Sequence, residues 1–184
     1  MNKKSFKEIV KEEFTFTTLQ ITTIAILIAM YILLDNLIHT ETVKYSLAFI
    51  ALAVAGMEFG PTKAGLVAVL GDIVSALIFG GFPIPLVLLS NFLKGFAHGL
   101  ILYRKRTIPF IVIVAAVEQL ILSWFLTPLG LHFYYGMPYK ALVVARVAQV
   151  VPLFFVEIVV IFALVKLLYK PLKDIVSGKK KTKT

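Results

Sequence analysis

The sequence predicts an all-α fold: an integral membrane six-helix bundle with both termini cytoplasmic. Three observations predict it. The first is composition: of 184 residues, 59% are hydrophobic and 16% charged, with a mean hydropathy of +0.92. A soluble domain is about 45–50% apolar and about 25% charged. The second is pattern. The apolar residues form six continuous runs rather than an alternation, which argues against an outer-membrane barrel. Helices satisfy their own backbone hydrogen bonds in lipid, so runs of this kind are read as spanning helices. The third is charge. Lys and Arg number 19 against 10 Asp and Glu, a net charge of +9. In a membrane protein such an excess marks the cytoplasmic flanks of the helices rather than a nucleic-acid surface.

The chain divides into residues 1–16, an amphipathic interfacial segment, residues 17–169, the six-helix domain, and residues 170–184, a basic cytoplasmic tail. Residues 1–14 mix lysines and glutamates around a weak apolar stripe at Phe6, Ile9 and Val10. That pattern suits a helix lying on the membrane surface, or equally a charged tail. The run after it is too long for a signal peptide and ends without a small-residue cleavage site.

The first helix is expected from about Thr17 to Ile38, ending at polar residues. The second, from about Tyr45 to Met57, is followed directly by Gly60-Pro61, and proline cannot continue a helix. At about 13 residues it could span only with help from the flanking polar turns, or else lie partly buried in the bundle. The third runs from about Thr62 to Phe79 and stops at Gly80-Gly81. A rigid turn, Phe82-Pro83-Ile84-Pro85, leads into the fourth, from about Leu86 to Tyr103. The fifth runs from about Ile108 to Leu126, where Thr127-Pro128-Leu129-Gly130 is expected to break it. The sixth runs from about Tyr139 to Tyr169 with Pro152 inside it, at about 30 residues longer than a bilayer requires. With the N-terminus inside, fifteen of the nineteen basic residues fall on the cytoplasmic side.

The connections on the other side carry aromatics and turn formers. His132, Phe133, Tyr134, Tyr135 and Tyr139 cluster in one of them. Two readings stand: an interfacial aromatic belt, or a lid of rings that stack on a planar ligand. The turn that carries Phe82 and the stretch from His39 to Tyr45 are further lid candidates. Charges inside the runs are costly and so draw a functional reading. Arg146 lies about 10 Å into the sixth run at 1.5 Å per residue. Gln149 follows on the same face, and Asn91 lies at similar depth in the fourth. These groups read as hydrogen-bonding lining of an outer cavity; the alternative pairs Arg146 with Glu118 or Asp72. Asp72 with Lys94 reads as an internal pair. Glu118 and Gln119 are open between ligand contact and pairing, and Glu157 is expected to pair with a nearby cation.

There is no Walker A sequence, no His-Glu-x-x-His and no Gly-x-Ser-x-Gly, so the chain is read as a non-enzyme without its own ATP site. Cysteine is absent, which removes thiolate chemistry. The three histidines are scattered, and no metal site or cofactor made of them is expected. Ala25 and Ala29 lie four apart on one face of the first helix, where small residues let another helix approach.

Four stretches carry a resemblance. Ala51 to Pro61, ALAVAGMEFGP, is similar to "AIAGMLFGP". Gly71 to Phe79, GDIVSALIF, is similar to "SDLIGALLFP". Phe92 to Tyr103, FLKGFAHGLILY, resembles "FLKGLIYGLFLY". Tyr134 to Tyr139, YYGMPY, with Arg146 beyond it, looks like "LYGKPF" followed by an arginine on helix six. In this order they resemble the S components of energy-coupling-factor (ECF) vitamin transporters, folate-type group, over about residues 17–169. Two stretches depart from that group. Gly80 to Ser90 stands where it has "PTGPYFPGFTLS", and Lys44 stands where it has an arginine in "LRISF".

The resemblance implies a substrate-binding subunit in a bacterial plasma membrane. It would capture a vitamin outside and deliver it inward with a transmembrane coupling subunit and two ATPase subunits. Ala25 and Ala29 match the family's Ala-x-x-x-Ala that contacts the coupling subunit. The substrate-binding set expected is Lys44, Tyr45, Phe82, Asn91, His132, Tyr134, Tyr135, Arg146 and Gln149. Folate is the expected vitamin, because outer cations suit its two carboxylates and aromatic faces suit its pterin. Rival readings are hydroxymethylpyrimidine or pyridoxine as ligand, or a membrane protein working without ATPases.

Overall fold

The computed structural model describes residues 17–39, 44–79, 81–103 and 106–169. The interfacial N-terminal segment and the basic tail expected from the sequence lie outside the described residues. Six helices form the fold of the described residues: α1 (Thr18–Asn36), α2 (Phe49–Phe59), α3 (Pro61–Ile78), α4 (Pro85–Leu102), α5 (Ile108–Tyr135) and α6 (Tyr139–Leu164). A π-type turn, Val165–Tyr169, extends α6. All except α2 are long and apolar enough to cross a membrane. The remaining regular structure among the described residues is one short antiparallel pairing of β1 (Ile38–His39) and β2 (Lys44–Tyr45), with Ile38 opposite Tyr45 and His39 opposite Lys44.

Local chemistry sets the helix ends. Thr17 caps α1 through a reciprocal pair of bonds with Gln20: its hydroxyl accepts from the Gln20 N–H, and the Gln20 side chain accepts from the Thr17 N–H. This satisfies two donors that the first turn would leave without partners. Between α2 and α3 the chain reverses through Gly60 alone, at φ 84°, a backbone region glycine enters without a Cβ penalty. Pro61 then opens α3, where its missing N–H costs nothing.

The short helix α2 is the centre of the bundle. One face joins Leu27 and Tyr31 of α1 and Ala64, Val67 and Ala68 of α3 through Ala51, Leu52 and Ala55. Its other face, Phe49, Ala53 and Met57, packs with Leu102, Ile111, Val114, Leu153 and Ile161 of α4, α5 and α6. Both apolar clusters therefore meet on the helix that the sequence marked as too short to span. At the basic end, the Arg106 guanidinium donates to the carbonyls of Leu102 (3.1 Å) and Met57 (2.6 Å).

One expectation is corrected. Thr127-Pro128-Leu129-Gly130 does not break the fifth helix, which continues as α-helix from Thr127 to Tyr135. Between Ala116 and Leu126 this helix widens to π-type hydrogen bonding. A proline breaks a helix because its ring and its missing N–H disturb the α-helical ladder. Pro128 instead sits where α geometry restarts after the wide segment, at the first turn of Thr127–Tyr135.

A polar bundle end framed by aromatic rings

The break in the ladder at Pro128 has a direct effect. In the π register the Thr127 N–H donates to the Leu122 carbonyl, five residues back. The next carbonyl, Ser123 O, would look to residue 128, which is proline and has no N–H. Arg146 of α6 supplies a donor: its Nη1 reaches Ser123 O at 3.4 Å. One turn away Trp124 Nε1 donates to Val143 O of α6 at 3.0 Å. Leu122 O also accepts from the hydroxyls of Thr127 (3.1 Å) and Ser90 (3.3 Å), tying α4 to the same place. Buried backbone acceptors need partners, and here side chains from two other helices provide them. The Arg146 guanidinium thus hydrogen-bonds to a backbone carbonyl of α5.

Asn91 is buried on α4, beside Ser90. Gln149 is half-buried on α6, three residues after Arg146. Neither amide has a side-chain hydrogen bond among the described residues, so both retain donors and acceptors for a ligand.

Aromatic side chains frame this end. The rings of Phe82 and Tyr134 stack at 5.5 Å between centroids and 11° between planes. Tyr134 meets Tyr135 edge-on at 5.0 Å, and His132 meets Tyr139 edge-on at 6.2 Å. His132 Nδ1 also contacts Met137 O, across the turn that Gly136 makes at φ 67°. Two of the three lid candidates therefore touch. The residues from His132 to Tyr135 stand on the last turns of α5 rather than in a loop. Phe82, Tyr134 and Tyr135 are exposed. Tyr45 is half-buried and packs on the cluster around Phe49 and Leu153. The backbone of Lys44 pairs with His39; its side chain lies outside the described part, as do residues 40–43.

A second polar group lies in the interior, and separate reading of its members in the sequence did not join them. His98 of α4, with Glu118 and Gln119 of α5 and Glu157 of α6, are all buried. His98 Nδ1 lies 3.4 Å from Glu118 Oε2 and His98 Nε2 lies 3.5 Å from Glu157 Oε1. Gln119 Nε2 donates to Glu157 Oε2 at 2.8 Å. Lys94 lies one turn before His98, within electrostatic range of Asp35, Asp72, Glu118 and Arg146. Ser90, Ser123, Trp124 and Thr127 also escaped the sequence reading. Their signal was the proline at 128, which implies a carbonyl seeking another donor.

Ala25 and Ala29 are both exposed. They occupy the side of α1 opposite the buried Leu27 and Tyr31.

A bundle of apolar helices long enough to span a membrane, with amides, an arginine and stacked rings gathered at one end, defines the class: a multi-pass membrane protein. Residues 19–169 match the model of the family "ECF transporter, substrate-specific component". The chain belongs to that family. Its similarity to the Folate transporter FolT of Clostridium novyi (strain NT) is 26% identity over 127 residues, 68% of this chain and 74% of that protein. A solved structure, "Crystal structure of FolT bound with folic acid", superposes with a TM-score of 0.73 at 28% identity, covering 80% of this chain and 93% of that one. The family is one of transport components, in keeping with a sequence that carries no enzyme motif.

Proposed function

We propose that this chain is the folate-binding subunit of an ECF-type ABC importer in a bacterial plasma membrane. It takes folate from outside and delivers it inward with a transmembrane coupling subunit and two ATPase subunits. The observation that carries the reading is Arg146. Its guanidinium is held on Ser123 O by one N–H, which leaves the rest of a five-donor fork for a carboxylate or the polar edge of a pterin. Asn91 and Gln149 add amide groups, and Phe82, His132, Tyr134 and Tyr135 add ring faces for a planar ligand. Lys44 and Tyr45, on the strand pair, complete the proposed set. The two FolT relatives support folate as the ligand.

Titration calorimetry on the monodisperse protein in detergent tests the substrate. Saturable folic acid binding is expected. Pyridoxine or hydroxymethylpyrimidine is the second reading, favoured by the departure of Gly80 to Ser90 from the folate-type pattern. Tight binding of either, with no heat from folic acid, would replace folate and leave the family standing.

The coupling subunit is proposed to dock on the Ala25 and Ala29 face of α1, since close helix approach needs small residues. Ala25→Trp should abolish co-purification with the coupling subunit while folate affinity stays within about twofold, because the side chain is exposed. A parallel loss of folate binding would make these alanines internal packing positions. Both termini are proposed to be cytoplasmic, on the charge bias of the connections. Single cysteines at positions 82 and 135 should label from outside, and those at 105 and 180 should not. Labelling at 180 would reject the topology.

A further inference from the structure

The interior group of His98, Glu118 and Glu157 has a chemistry that the transport reading does not use. His98 Nδ1 lies 3.0 Å from the Lys94 carbonyl. A carbonyl only accepts, so Nδ1 carries the proton and Nε2 presents a lone pair. That nitrogen faces Glu157 Oε1 at 3.5 Å. Glu118 Oε2 lies on the same ring, 3.4 Å from Nδ1. Among the described residues, His98 Nε2, Glu118 Oε2 and Glu157 Oε1 are all buried and all without a hydrogen-bond partner. His98 Nε2 and Glu157 Oε1 thus face each other as two acceptors with no donor between them, and Glu118 Oε2 lies beside the same ring. A buried acceptor left in this way costs about 1–3 kcal/mol, more when charged, so a positive centre belongs among them.

We propose that His98, Glu118 and Glu157 form a binding site for one divalent transition-metal ion, zinc by its donor set, joining α4, α5 and α6 in the bundle core. One imidazole nitrogen and two carboxylate oxygens are a ligand set that Zn²⁺ accepts at about 2.0–2.2 Å. Bonds of that length at tetrahedral angles separate neighbouring ligand atoms by about 3.3 Å, close to the 3.5 Å between Nε2 and Glu157 Oε1. One ligand atom from each of the three residues lies within 4.8 Å of one from each of the others. Glu118, whose Oε2 stands beside Nδ1, would turn its carboxylate toward Nε2 to make the third bond, and a water or a second carboxylate oxygen would complete four ligands.

The surrounding contacts match what metal ligands require. A ligating histidine donates its other N–H to a carbonyl or carboxylate, and ligating carboxylates are themselves hydrogen-bonded. Lys94 O holds the histidine and Gln119 Nε2 holds Glu157. The widened segment of α5 sets Glu118 and Gln119 facing α4 and α6, and such segments recur at functional sites.

The site is independent of which vitamin is carried, and the full chain tests it without any transport assay. Protein stripped with chelator, incubated with Zn²⁺ and freed of excess should retain about one equivalent by elemental analysis. Co²⁺ in place of Zn²⁺ should give the visible absorption of a low-coordinate site. His98→Gln and Glu157→Gln should each retain less than about a tenth of an equivalent. Gln119→Leu, which leaves the three ligands in place, should weaken Zn²⁺ binding about 10- to 100-fold. It serves where a ligand variant does not fold. A wild type that retains no metal and gives no cobalt spectrum overturns the proposal and leaves a proton as the positive centre. Retention unchanged in His98→Gln and Glu157→Gln overturns it equally, since the ion would then sit elsewhere.

Discussion

The contact between α3 and α4 and the contact between α5 and α6 are built on opposite principles. In the first pair, glycines bring backbone against backbone. A Cβ on Gly95 would meet the Ala64 carbonyl, with the carbonyl carbon at 2.7 Å and Gly65 N at 2.9 Å. One on Gly99 would run into Pro61 and Gly60, and one on Gly65 into the Phe92 ring at 2.6 Å. In the second pair, long polar side chains bridge the helices: Arg146 to Ser123 O, Trp124 to Val143 O and Gln119 to Glu157. Gly130 of α5 faces side chains of α4, the nearest Val87 Cγ2 at 3.0 Å, so that neighbour can yield. Close packing of backbone on backbone makes a fixed frame, while long side chains that bridge two helices leave donors and acceptors between them. The molecule keeps its frame in α2 to α4 and its chemistry between α4, α5 and α6.

The largest effect should come from filling the frame. Gly95→Leu places a side chain in Ala64 backbone that cannot move aside, a stronger insult than the overpacking that costs about 1–3 kcal/mol in ordinary cores. The expected result is no monodisperse peak on size exclusion in detergent. A folded Gly95→Leu protein with unchanged melting would erase the contrast between the two helix pairs.

Next in size is the loss of the bridging arginine. Arg146→Ala should weaken folate binding by about 2–5 kcal/mol, roughly 30- to several-thousand-fold. The protein should still fold, because one exposed-to-half-buried hydrogen bond contributes about 0.5–1.5 kcal/mol to stability. Arg146→Lys should recover part of the affinity, since a point charge lacks the planar fork. An unchanged dissociation constant in calorimetry would remove Arg146 from the ligand site.

The smallest and most diagnostic change is Pro128→Ala. It restores an N–H that competes with Arg146 for Ser123 O, at a cost to the arginine of about 0.5–1.5 kcal/mol, or about 2- to 10-fold in folate affinity. Thermal stability should hold or rise. Equal affinity in the two proteins would mean that the proline does not position the arginine.

These contrasts explain what the sequence made legible. Continuous apolar runs located all six helices, and Gly60-Pro61 located the α2–α3 reversal, because both signals are local. The short second run left two readings, spanning with help from its flanks or burial, and the two apolar clusters that meet on it choose burial. Arg146, Asn91 and the rings around Tyr134 were visible as costly or clustered residues. Pro128 misled, because its effect depends on hydrogen-bond register: after a π segment the same residue that ends a helix can begin the next stretch. His98, Glu118 and Glu157 were each noticed, but they lie on three helices. Only the packing angle between those helices brings their atoms to one point, and no spacing along the chain encodes it.

The short second helix has one more consequence. Its last residue and the first of α3 are separated by Gly60 alone, so the two helices start from one level. With 11 residues against 18, α2 stops about 10 Å below the height that α3 reaches, at 1.5 Å per residue. The chain comes to α2 from the strand pair Ile38–His39 with Lys44–Tyr45, which lies against α1 and α6. The third helix therefore stands about two turns taller than its central neighbour. That step is set by a difference in helix length, so inserting one turn into α2 would shorten it by about 5 Å without changing any residue of the aromatic frame.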